Sequence, residues 1–76
     1  MPRITPVDAG RLIRFFESIG FRRARIRGGH LTPSRPGSPR PVVIPLHGEI
    51  DATIILSNLR TAGVSRQDYL KAIAKF

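Results

Sequence analysis

The stretch PSRPGSPRP at residues 33–41 holds four prolines and a glycine. Neither a helix nor a central strand can run through it, because proline has no amide hydrogen to give either ladder and restricts the residue before it. It predicts a turn or a mobile loop, and regular structure must fall on either side.

Before the loop, Thr5-Pro6-Val7-Asp8 supplies a capping hydroxyl, a proline at the first helical position and an acid in the first turn, which together start a helix. Leu12, Ile13, Phe16 and Ile19 then recur at helical spacing, while Arg11, Arg14 and Glu17 point elsewhere. Gly20 is a stop. From Phe21 to Arg27 the chain alternates, with Ala24 and Ile26 on one side and Arg23, Arg25 and Arg27 on the other, which predicts a half-buried strand with an arginine face. Gly28 and Gly29 end it. His30 opens the next strand, which Pro33 keeps short. After the loop, the β-branched run from Pro41 to Pro45 predicts one well-buried strand. A loop with Gly48, Glu49 and Asp51 leads to a second helix from Thr53, carrying Ile55, Leu59 and Ala62 and ending near Gly63. Ser65-Arg66-Gln67-Asp68 starts a last helix with Tyr69, Leu70, Ile73 and Phe76 inward. The expectation is a single α+β domain over residues 1–76: a helix, three strands, then helices.

Charge narrows the partner. Thirteen Lys and Arg against five Asp and Glu give a net charge of +8, and nearly all the cations are arginine, whose planar guanidinium suits the paired oxygens of phosphate. The chain has no cysteine, so it can hold neither a disulfide nor a thiolate metal site, as fits a reducing cytosol. No apolar N-terminal run reads as a signal peptide and no segment is long enough to span a bilayer. A cytoplasmic protein without a membrane partner is expected.

Most catalytic templates find no residues here. Two histidines 17 positions apart without an acid pair make a poor metal site, no Walker loop is present, and the five acids form no obvious pair. His30 remains, among arginines and beside two glycines that allow a ligand close to the backbone. An imidazole can take a proton from a ribose 2′-hydroxyl or give one to a leaving 5′-oxygen while arginines stabilise the phosphoryl charge, with no metal or cofactor. His47 reads as structural, fixing the Gly48 loop.

Gly20-Phe21, Arg25, Arg27-Gly28 and His30, followed by Pro45-Leu46-His47-Gly48 and Ala62-Gly63-Val64-Ser65, resemble the HicA (YcfA-like) toxins of bacterial toxin–antitoxin pairs, over about residues 11–70. The resemblance implies a fold like a double-stranded-RNA-binding domain, with a three-stranded antiparallel sheet. It also implies an endoribonuclease that cleaves mRNA, with His30 as its catalytic residue, and a HicB-like antitoxin as partner. RNA would bind through Arg23, Arg25, Arg27, Gly28 and Gly29. The family usually carries Ser or Thr where this chain has Gly29. Two alternatives stay open on the residues alone: a non-catalytic RNA-binding module of the same fold, and a protein-binding domain whose arginines dock on an acidic partner.

Overall fold

The computed structural model describes residues 3–22, 25–37 and 40–76. The chain opens on a two-residue strand, β1 (Val7–Asp8), that runs directly into helix α1 (Ala9–Ser18). The cap is Asp8, whose carboxylate accepts from the Arg11 amide at 3.3 Å, and not Thr5. The start moves three residues along because Val7 is buried and pairs with Ile50 of strand β5 (Glu49–Ile50). That long-range pairing keeps Val7 extended where local signals favoured a helix. Leu12, Ile13, Phe15 and Phe16 fill the buried face of α1.

Within the expected strand from Phe21 to Arg27, β2 (Ile26–Arg27) pairs as a ladder and Arg22 makes a separate bridge to Ser34; Arg23 and Ala24, between them, lie outside the described residues. Strand β3 (His30–Leu31) follows, then β4 (Ile44–Pro45), and the antiparallel sheet has the order β2-β3-β4. Gly28 and Gly29 form the two-residue hairpin turn with φ of 54° and 80°. A turn with positive φ at both central residues matches the twist of the flanking strands and admits few residues besides glycine.

Register assigns the two faces. Ile26 opposes Leu31, which opposes Ile44; Arg27 opposes His30, which opposes Pro45. Directly opposed side chains share a face. The first row faces the core, and exposure along it falls from 67% at Ile26 to 2% at Leu31 and 0% at Ile44. Ile26 is therefore solvent-exposed rather than on a buried side as expected: β2 is an edge strand, and the core reaches only the other two members of the row. Val42 is buried but Val43 is 44% exposed, so the Pro41 to Pro45 run alternates instead of burying both sides.

Helix α2 (Ala52–Ala62) starts on the Asp51 carboxylate and ends at Gly63, left-handed with φ 72°. Helix α3 (Arg66–Ile73) starts on the Ser65 hydroxyl, which accepts from the Asp68 amide at 3.1 Å. Buried Asn58 of α2 accepts from the Val43 amide at 3.1 Å and donates to its carbonyl at 2.9 Å. One carboxamide thus takes the place of a neighbouring strand at that edge of the sheet.

The core is threaded by edge-to-face rings: Tyr69 to Phe15 at 5.0 Å, Phe15 to Phe16 at 5.1 Å, and Phe16 to Phe21 at 5.3 Å. The Arg35 guanidinium covers Phe21 at 4.7 Å and donates to the carbonyls of Ile19 and Ala62, each at 2.9 Å. One cation from the proline-rich loop therefore closes the C-terminal ends of both α1 and α2. That loop was expected to be a turn or mobile; its described part is pinned instead. Pro33 is buried, Ser34 and Arg22 exchange both backbone hydrogen bonds, and the Val42 amide closes back on the Pro33 carbonyl at 3.0 Å.

The Tyr69 hydroxyl is buried with no hydrogen-bond partner. Burial pushes its pKa above the ordinary 10.0, with Arg11 pulling weakly the other way. The phenol resists ionising in the fold, so this contribution to stability is intact below pH 10 and declines as the pH rises beyond it. Tyr69→Phe removes an unpaired hydroxyl and keeps the ring. It should leave the melting temperature at neutral pH unchanged or raise it by the equivalent of about 1 kcal/mol, and flatten the fall above pH 10. Thermal unfolding across that pH range checks both.

Candidate active site

The hairpin positions the residues singled out in the sequence. Arg27, His30 and Pro45 form one row across the three strands on the face opposite the core. The Thr32 amide donates to the Arg25 carbonyl at 3.0 Å, which extends the same register by one pair and puts Arg25 on that face by alternation. Arg25 and Arg27 are both exposed. Two of the three expected arginines thus share His30's face; the third, Arg23, lies outside the described residues.

His30 is half-buried and holds a defined orientation. Its Nδ1 lies 3.1 Å from the Gly28 carbonyl oxygen. A carbonyl only accepts, so this contact is a hydrogen bond when Nδ1 carries the hydrogen, and the neutral ring then presents a bare Nε2. Gly28 therefore acts through its carbonyl as well as through its turn geometry.

Gly29, for its part, lies under the second histidine. A Cβ placed on Gly29 would stand 3.7 Å from both Cε1 and Nδ1 of His47, while the Gly29 carbonyl accepts from the Leu46 amide at 2.8 Å. His47, read from the sequence as a loop support, is exposed and stands beside the hairpin turn. The Pro45-Leu46-His47-Gly48 motif was the available signal, but only the fold brings it against Gly29.

A groove of about 410 Å³ runs beside this face between β4 and α2, lined by His30, Arg40, Val43, Pro45, Ile54 and Ser57 among others. Arg40 had no distinguishing mark within the proline-rich stretch and was missed. A cavity of about 430 Å³ at the end of α1, lined by Glu17, Gly20, Phe21 and Arg22, shares none of the described residues with the hairpin face. Among the described residues no three His, Asp or Glu side chains converge as metal ligands, and no helix is long and apolar enough to cross a membrane.

The family model described as the HicA toxin of bacterial toxin–antitoxin matches residues 9–64. The chain belongs to the HicA toxin family. The match runs from α1 through all three sheet strands to the end of α2, and so contains the glycine turn, both histidines and the arginine-bearing strand; α3 follows it. No curated protein and no solved structure matches the chain. HicA proteins are ribonuclease toxins with a fold like the double-stranded-RNA-binding domain, and the three-stranded antiparallel sheet and helices observed here agree with that fold. Gly29, where the resemblance leads one to expect Ser or Thr, has φ 80°, a conformation that strains any residue with a Cβ.

Proposed function

We propose that this HicA-family chain is an endoribonuclease that holds RNA on the outer face of its sheet and cleaves it with His30 as a proton-transfer group. The observation that carries this reading is the register that sets Arg25 and Arg27 on the same face as an imidazole whose Nδ1 is held by Gly28. Arginines attract and orient the phosphates, and the oriented Nε2 exchanges a proton with the ribose 2′-hydroxyl or the leaving oxygen. The proposed chemistry is proton transfer and electrostatic stabilisation, without a metal-bound hydroxide. A HicB-like antitoxin would neutralise the protein by covering this face with acidic or polar groups, and the +8 charge would speed their encounter.

A non-catalytic RNA-binding module is the second reading, favoured by the missing hydroxyl at Gly29. The positive φ of that residue supplies a conformational reason for the glycine.

Binding and cleavage separate the two. Replacing Arg25 and Arg27 together with Ser should weaken binding to single-stranded RNA at least tenfold, and should reduce the slope of log affinity against log salt by about 0.7 for each phosphate no longer neutralised. A salt titration of both proteins checks this; unchanged affinity and slope would remove the proposed RNA face. Cleavage by the parent protein distinguishes the nuclease from the binding module.

A further inference from the structure

The two histidine rings stand beside adjacent residues of one turn. His30 reaches the Gly28 carbonyl through Nδ1 at 3.1 Å, and the His47 ring lies 3.7 Å from the Cβ position of Gly29. Consecutive Cα atoms are only about 3.8 Å apart, so the residues beside which the rings stand are separated by one peptide. The Leu46 amide bond to Gly29, at 2.8 Å, fixes the segment bearing His47 against the hairpin, and His30 and Pro45 are directly paired just before it. His47 is exposed and His30 half-buried, so both rings are open to a bound strand.

Cleaving RNA through its own 2′-hydroxyl needs two proton transfers at different oxygens. A base takes the proton from the attacking hydroxyl, and an acid gives one to the leaving 5′-oxygen. A single imidazole with one nitrogen held by a carbonyl presents one working atom and serves one of these oxygens at a time. From the juxtaposition of the two rings across Gly28 and Gly29, we propose that His47 is the second proton-transfer residue of the site.

The 2′-oxygen forms a bond to phosphorus as its proton passes to His30 Nε2. The bond from phosphorus to the 5′-oxygen breaks as that oxygen takes a proton from the His47 imidazolium. The products are a 2′,3′-cyclic phosphate and a 5′-hydroxyl, and exchange with water resets both rings. This inference rests on His30 being a catalytic residue, so its test must distinguish the two claims.

The cleavage site is first mapped on an oligoribonucleotide with the full chain, and a second oligonucleotide is made with sulfur as the bridging 5′-atom at that bond. A thiolate leaves without needing a proton, so the acid becomes dispensable while the base does not. His47→Ala, and His47→Gln as a polar replacement that keeps a side chain over Gly29, should each slow cleavage of ordinary RNA by about 100-fold or more. Both should cleave the sulfur substrate within about 3-fold of the parent rate, a margin small beside that loss. His30→Ala should be slow on both substrates. Thermal unfolding, measured alongside, should show both His47 variants as stable as the parent.

Parent-rate cleavage of ordinary RNA by a His47 variant would overturn the proposal while leaving His30 in place, and so would equal slowing on the two substrates. Parent-rate cleavage by His30→Ala would remove the reading on which the proposal stands.

Discussion

His30→Ala should reduce RNA cleavage by about 100- to 10,000-fold, the range that general acid–base catalysis supplies, and should relieve growth arrest on expression. The fold should survive. The side chain is half-buried and, among the described residues, bonds to the Gly28 carbonyl, and the Gly28–Gly29 turn is set by backbone conformation rather than by the ring. RNA binding should change less than about 3-fold, because attraction to phosphate comes chiefly from the arginines. Cleavage assays, binding isotherms and thermal unfolding on parent and variant decide the matter. A variant that cleaves at the parent rate contradicts the assignment, and so does one that loses activity only by unfolding.

The largest loss of stability from a partly exposed residue is expected at Arg35. Its guanidinium makes two charge-assisted bonds to the carbonyls of Ile19 and Ala62 and covers Phe21. Hydrogen bonds to charged groups contribute roughly 1.5–3 kcal/mol each, and a cation over an aromatic ring about 0.5–2 kcal/mol. These terms share one side chain and do not add fully, so Arg35→Ala should cost about 3 kcal/mol. For a domain of this size that lowers the melting temperature by about 12–24 °C. Arg35→Lys keeps a charge near the helix ends but loses the planar fork that reaches two carbonyls, and should fall between the two proteins. A melting temperature for Arg35→Ala within about 2 °C of the parent would show that the clasp contributes nothing.

What could be read before the structure divides by the range of the interaction. Alternation along Arg25, Ile26 and Arg27 requires only neighbouring residues, and Arg25 and Arg27 do share a face; Arg23, the third member expected there, lies outside the described residues. The caps at Ser65 and Gly63 were legible for the same reason. Signals of equal local strength failed where a distant strand competed. Thr5 is not the cap because Val7 pairs with Ile50. Ile26 had the pattern of a buried residue, but its exposure depends on β2 being the edge of the sheet, which no local pattern records.

The site follows the same division. His30 beside two glycines was visible as a candidate. The approach of His47 to Gly29 joins segments about 18 residues apart and exists only once β3 and β4 pair. Arg35 was hidden by composition: a stretch with four prolines reads as a connector, and nothing local reveals that its arginine ends on two helix termini.

The most direct test of the central claim is end-group analysis of RNA incubated with the purified chain in the presence of a metal chelator. The proposed chemistry predicts cleavage that persists under chelation and fragments ending in a 2′,3′-cyclic phosphate and a 5′-hydroxyl. RNA that is bound but left intact, or fragments carrying 5′-phosphate and 3′-hydroxyl ends, would contradict it.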